Sequence, residues 1–431
     1  MIDKNNILQG YKNSVVGIIP EEWDVKTFSE LGSTLSTNTL SRDMMNEESG
    51  YALNIHYGDV LVKYGEILNC SKINIPWINY EYAENNLGAQ LKDGDVVISD
   101  TAEDYSVGKV TELQGISNAK VFSGLHTIAY RPNKNIFSQR FLGYYFNSSI
   151  YRKQLYPLIQ GIKVCSISKS AISKTKLAIP PLAEQKKIAE ILCTWDDAIE
   201  KQSKLIEKLE LRKRGLMQRL LTGKTRLPGF TEPWKKIKLG EICKRVTRKN
   251  EEKNQNVMTI SAQKGFVSQT DFFNKTVASS TLDNYYLVHK DEFCYNKSYS
   301  NGYPMGAIKR LKDSDKAVVT TLYICFSIAD NKSLDINFFE QYCENGGFNK
   351  VLIKVANEGG RAHGLLNVTP SDFFGLSIIL PILLEQKAIA SILSAADKEI
   401  ETQRKKLEAL RQQKRGLMQQ LLTGKTRVKV S

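Results

Sequence analysis

The sequence predicts an α/β protein, with two mixed α/β domains joined by two long helices that form an antiparallel intramolecular coiled coil of pseudo-two-fold symmetry. Three observations carry that expectation. Residues 184–226 align without a gap on residues 385–427, identical at about 27 of 43 positions, so an internal repeat governs the architecture. Both copies carry an apolar residue at alternating steps of four and three, the spacing of a heptad seam. Each copy follows about 150 to 180 residues of mixed strand-like and helix-like pattern.

The helices can be read residue by residue. Each opens with a proline, Pro180 or Pro381, placed four residues before Glu-Gln-Lys, where a strand stops and a helix begins. Each closes on LLTGKTR. The first seam runs through Ile188, Leu192, Trp195, Ile199, Gln202, Ile206, Leu209, Lys213, Leu216 and Leu220. The second runs through Ile389, Leu393, Ala396, Ile400, Gln403, Leu407, Leu410, Lys414, Leu417 and Leu421, with its polar interruptions at the equivalent places. A parallel in-register pair would bury Lys213 against Lys414, two like charges in a low-dielectric layer. An antiparallel pair instead sets Lys213 opposite Ala396 and Lys414 opposite Trp195, where the ammonium can snorkel or lie on the indole face. Gln202 and Gln403 then occupy adjacent central layers, where buried amides help fix register. Gly215 and Gly416 interrupt good helical sequence at about 1 kcal/mol each, which calls for a kink or a close contact.

The plan is therefore domain, helix, domain, helix, with boundaries at 1–180, 181–227, 228–380 and 381–431. The two domain segments resemble each other weakly. Trp23, Phe28, Glu30 and Leu31 answer to Trp234, Leu239, Glu241 and Ile242. Late in each lie a strand-like run, Leu125 to Tyr130 or Leu322 to Phe326, and an aromatic helix-like run containing Phe141, Leu142, Tyr145 and Phe146 or Phe338, Phe339, Tyr342 and Cys343.

Composition narrows the function. The 431 residues hold 60 Lys+Arg against 46 Asp+Glu, a net charge of +14 that attracts polyanions, nucleic acid first among them. No run approaches the length of a spanning helix, and the basic residues do not face a broad apolar stripe, so no membrane partner is expected. The start, MIDKNNILQG, lacks the apolar core of a signal peptide, from which a cytoplasmic setting is expected. Seven widely spaced cysteines with no CxxC pair, and four scattered histidines, argue for reduced thiols and against a zinc site. The GKT triplets lack the earlier glycine of a phosphate loop, having Gln218 and Gln419 there, and they follow a helix instead of opening one. A glycine stop flanked by basic residues explains them better. The sole Pro-Pro, Pro180-Pro181, has neither the amide nor the aromatic ring of an adenine methyltransferase loop, and no acid cluster suits a magnesium nuclease. From residues alone, a scaffold whose two domains bind protein or RNA stays open beside a DNA reader.

The repeated helices, with P-x3-EQK at one end and RGLMQ-x-LLTGKTR at the other around divergent domains, resemble the specificity subunit of type I restriction-modification systems over the whole chain. The resemblance implies a subunit with no catalytic residues, whose two target-recognition domains each read one half of an interrupted, asymmetric site in double-stranded DNA. It also implies helices that set the spacing and dock two methylation subunits, with two motor-nuclease subunits joining a complete restriction assembly. No cofactor or metal is expected on this chain; S-adenosylmethionine, ATP and Mg belong to the partner subunits.

Base reading draws on Arg, Lys, Asn and Gln in loops, and phosphate contacts on any basic or hydroxyl group. The candidates in the first domain are Asn38, Arg42 and Lys163, the last in the Gly161-Ile162-Lys163 turn. In the second they are Arg245, Arg248, Lys249, Lys297, Tyr299, Asn301 and Arg361, which precedes the last strand much as Lys163 does. The basic cluster Arg212, Arg214 and Arg219, with Arg415 in the second helix, is assigned to partner docking.

Overall fold

The computed structural model describes residues 9–117, 119–269, 282–356 and 366–430, which form two compact units: 1–202 with 406–431, and 203–405. Each unit thus takes one domain, the adjoining half of its own helix and the opposite half of the other helix.

In unit 1 the β-branched run Val96-Val97-Ile98 forms the centre of a five-stranded sheet, buried on both faces. Its strands are β1 (Gly32–Leu35), β2 (Ile67–Asn69), β3 (Val96–Ser99), β4 (Val110–Gln114) and β5 (Thr127–Pro132), in spatial order β1-β5-β3-β4-β2. All pairings are antiparallel except β2 with β4. Helix α1 (Phe141–Asn147) buries Phe141, Leu142, Tyr144, Tyr145 and Phe146 against this sheet, and the rings of Phe28, Tyr130, Phe146 and Tyr151 interlock around it. Glu112 on β4 accepts from the Gly143 N–H at the start of α1 at 2.8 Å, and burial pushes its carboxyl up to about 7. The domain is closed by its own ends, since Asp24–Thr27 pairs antiparallel with Lys176–Ile179. Beyond Pro180 and Pro181 the chain enters α2 (Leu182–Leu220), 39 residues long.

In unit 2 the corresponding sheet has β6 (Cys243–Val246), β7 (Phe293–Asn296), β8 (Ala307–Arg310) and β9 (Ile324–Ile328), in order β6-β9-β7-β8 and wholly antiparallel. This repeats β1-β5-β3-β4 strand for strand. Helix α3 (Ile336–Glu344) buries Phe338 and Phe339, the latter set edge-on to Phe293 at 5.1 Å, while Phe293 stacks on Phe326 at 5.5 Å. Lys235–Lys238 pairs with Ser377–Leu380, and Pro381 leads into α4 (Leu383–Leu421), again 39 residues. The strand-like and aromatic runs expected near the end of each domain are β5 and β9, α1 and α3.

Within each unit the two helix segments run antiparallel. In unit 1, Glu184 pairs with Arg427 and Asp196 with Lys414; in unit 2, Glu385 pairs with Arg226 and Asp397 with Lys213. Ile188, Leu192, Gln202, Ile206, Leu209, Ile389, Leu393, Ala396 and Ile400 are buried, while Trp195, Ile199, Gln403 and Leu410 are half-buried.

The lysines depart from expectation. Lys414 neither snorkels nor lies on Trp195: its ammonium meets Asp196 at 2.5 Å and Glu66 at 2.9 Å, over the ring of Tyr144 at 5.0 Å. Lys213 meets Asp397 at 2.5 Å. An acid one residue beyond the expected seam neighbour answers each lysine, because an ion pair offsets burial of an ammonium better than an apolar contact does. Of the kink or close contact expected at Gly215 and Gly416, the close contact is not found among the described residues, where a Cβ on either would meet nothing within 4 Å.

Candidate nucleic-acid interface

The helix motifs form a clasp in each unit. In unit 1 the buried Glu184 carboxylate accepts from the Trp23 indole N–H at 3.0 Å and from Arg427 at 2.8 and 3.1 Å. In unit 2 the buried Glu385 accepts from Trp234 at 3.2 Å and from both Arg226 nitrogens at 2.7 Å. These bonds hold both guanidinium groups above their ordinary pKa, with Glu22 adding to the effect on Arg427. The neighbouring glutamine joins helix to domain. Gln185 donates to the Ile136 and Pro180 carbonyls and accepts from Ser138 N; Gln386 does the same with Ser333, Pro381 and Asp335.

The glycine of each GKTR is a helix stop in the left-handed region, Gly223 at φ +68 and Gly424 at φ +70. Gly424 is also a close approach, since a Cβ there would fall 2.4 Å from Pro20 Cδ, whereas one on Gly223 would make an ordinary contact with the Trp234 ring at 3.5 Å. Trp23, Trp234, Glu184, Glu385, Arg226 and Arg427 were visible in the sequence as matching motifs. What each bonded to was not, because the arginine reaches back to the opposite helix.

The loops are where the candidate DNA contacts lie, and the structure sorts them. Asn38 is buried, its amide spent on Asn54 and the Leu40 N–H, so it braces its loop. Arg42 is half-exposed and paired with Asp59 at 2.6 Å. Lys163 is exposed in the turn after Gly161, whose φ of +94 and contact with the Val164 carbonyl admit no side chain. Ile162 beside it is 98% exposed. The turn is closed by paired backbone bonds between Gln160 and Ser166.

A chain of contacts ties this turn toward Arg42. Ser166 pairs with Thr101, whose hydroxyl meets His126 at 3.3 Å; His126 lies edge-on to Tyr57, and Tyr57 lies against His56. His56 caps the helix that holds Asp59, and burial keeps its imidazole below the ordinary pKa. Segments about 120 residues apart in sequence thus belong to one set of linked loops.

In unit 2, Arg245 is exposed on β6 and has no ion pair among the described residues. Arg248 forks onto Glu292 at 3.1 and 3.2 Å. Lys249 bonds the Asn284 carbonyl and lies 4.9 Å over Tyr286. Lys297 is half-buried, Tyr299 is exposed, and the Asn301 carbonyl accepts from Gln263. Among the described residues no hydrogen bond or ion pair joins 245–249 to 297–301. Arg361 lies outside the described residues. On the helices, Arg212 pairs with Glu399 and Arg415 with Glu408, while Arg214 and Arg219 are exposed.

Among the described residues no group of three or more His, Cys, Asp or Glu is placed to hold a metal ion, and no helix is long and apolar enough to cross a membrane.

A family model for the type I restriction modification DNA specificity domain matches residues 20–211 and again 231–412. The chain belongs to this family. Each match takes in one domain and most of the helix that follows it, so the repeat seen in the sequence is a repeat of the specificity domain. The chain is similar to the putative type I restriction enzyme MjaX specificity subunit of Methanocaldococcus jannaschii, 27% identical over 452 aligned positions that cover 98% of this chain and 97% of that one. Its fold is similar to that of the type I restriction-modification S subunit from M. genitalium, with a TM-score of 0.51 at 16% identity over 93% of this chain and 96% of that one. It is also similar to a chain solved in work on complex assembly and conformational transition of the type I R-M system, with a TM-score of 0.57 at 16% identity over 95% of this chain and 99% of that one. Both likenesses extend along two specificity domains with their long helices.

Proposed function

We propose that this chain is the DNA-reading subunit of a type I restriction-modification complex, each domain contacting one half of an interrupted, asymmetric duplex site while the helices set the spacing and dock methylation subunits. The observation that carries this reading is the pairing of one sheet order and one clasp, repeated nearly unchanged, with loops that differ throughout. Constant parts fit a frame shared by partners; divergent loops fit two different half-sites. The net charge of +14 suits a polyanion. Each helix is about 58 Å long at 1.5 Å per residue, a length able to separate two readers. The methyl transfer and any cleavage belong to the partners.

Exchanging residues 1–180 for the corresponding domain of another family member tests the division of labour. Methylated adenines are then mapped across a genome with the assembled complex present. One half of the methylated sequence should change and the other should persist. Loss or change of both halves from a folded protein would overturn independent reading.

A further inference from the structure

The two units allow a comparison that does not depend on any relative. The connection from β3 to β4 in unit 1 and the connection from β7 to β8 in unit 2 are equivalent by sheet position, although their sequences differ. Both carry an exposed tyrosine, Tyr105 toward the middle of its connection and Tyr299 near the start of its own. Tyr105 is 66% exposed and Tyr299 is 67% exposed, in a chain whose other tyrosines include seven that are almost wholly buried. A ring left in water on the equivalent connection of both domains asks for a ligand with an apolar face.

Each loop is held so that the ring stays out. In unit 1, Arg152 donates to the Tyr105 carbonyl at 2.6 Å and to the Val107 carbonyl at 2.7 Å, and Gly108 returns the chain to the sheet through a bond to Ser99. In unit 2, Ser300 and Tyr303 exchange backbone bonds around Gly302, and Gln263 holds the Asn301 carbonyl. Each loop is also tied to the segment before the last strand. Thr101 pairs with Ser166 at the base of the Lys163 turn, and the Lys297 carbonyl accepts from Leu366 N. In unit 1 this sets the aromatic loop beside the loop carrying Lys163.

We infer that Tyr105 and Tyr299 are matched aromatic contacts to DNA bases, one for each half-site, each stacking on a base laid open in its own half of the duplex. This rests on the DNA-reading function proposed above. Stacking suits the observation because every base has a flat face, so one ring type serves two unrelated half-sites, while neighbouring polar groups supply the sequence. Removal of a target base from the helix for methylation leaves such a face open.

The test uses the chain assembled with its methylation subunits and selection from a duplex library with both half-sites randomised. Tyr105→Ala and Tyr299→Ala should each weaken binding roughly 5- to 100-fold while the sequence selected at both half-sites persists. Tyr105→Phe and Tyr299→Phe should stay within about three-fold of the unsubstituted chain, because the ring is kept. If the unsubstituted complex selects no two-part site, the proposed function itself fails. If it does, and the Ala variants keep their affinity, the tyrosines are not contacts. Phe variants as weak as the Ala variants would assign the reading to the hydroxyl and overturn stacking.

Discussion

Units 1 and 2 share the clasp that holds a helix and differ in the groups their domains add beside it. The clasp is the same in both: a buried glutamate, an indole N–H and the arginine of GKTR. The lysine station is the same only on the helix side. Lys414 in unit 1 has Asp196 from the helix plus Glu66 and the Tyr144 ring from the domain; Lys213 in unit 2 has Asp397, whose second oxygen accepts from Gln341. The helices therefore dictate an ion pair, and each domain finishes the site with what it has.

The clasp should give the largest effect. Glu184→Ala and Glu385→Ala each leave an indole N–H without its acceptor and a guanidinium with only Glu22 or the Glu232 carbonyl, at a cost of about 2 to 4 kcal/mol. The two losses should match within about 1 kcal/mol in denaturant melts followed by tryptophan fluorescence. A clear inequality would mean that the two clasps share a pattern without sharing its energy.

The lysine station should separate the units. Burial alone would lower the Lys414 pKa, but Glu66 and Asp196 more than offset it and hold the ammonium charged. Lys414→Met strands two carboxylates and should cost about 2 kcal/mol. Lys213 has one carboxylate partner, 45% exposed, so Lys213→Met should cost less than about 1 kcal/mol. Equal costs would show that the domain-supplied groups add nothing.

Much of the frame was legible because helices and their repeats are local. Heptad spacing placed both helices, the like charges of Lys213 and Lys414 selected the antiparallel pair, and the aromatic runs located α1 and α3. The sheet order was not legible, since it joins short strands far apart, such as β1 with β5. Of the candidate positions, the turn carrying Lys163 was legible because Gly161 marks it. The burial of Asn38 was not legible, for an asparagine in a polar loop reads the same whether it faces water or a buried Asn54. The exposure of Tyr105 on a connection equivalent to that of Tyr299 was not legible, because it depends on the sheet order.

The smallest expected effect concerns the paired glycines, where the two units should agree. Gly215 and Gly416 lie at equivalent turns of α2 and α4, exposed, with nothing within 4 Å of an added Cβ. Neither has a positive φ, so neither backbone needs glycine. Within this chain alone, alanine should therefore be better by up to about 1 kcal/mol at each, through helix propensity. Its absence from both copies points outward. If the helices dock a partner as proposed, a bare patch of helix backbone beside Arg214 and Arg219 in one copy and Arg415 in the other would let that partner's surface come closer than any side chain would allow. Gly215→Ala and Gly416→Ala should raise the melting temperature of the isolated chain while weakening its assembly with a methylation subunit, read by titration of the subunits. Stabilisation with unchanged assembly would remove the glycines from the docking surface. Stabilisation with weaker assembly at one glycine alone would show that the two copies of the helix do not meet equivalent partners.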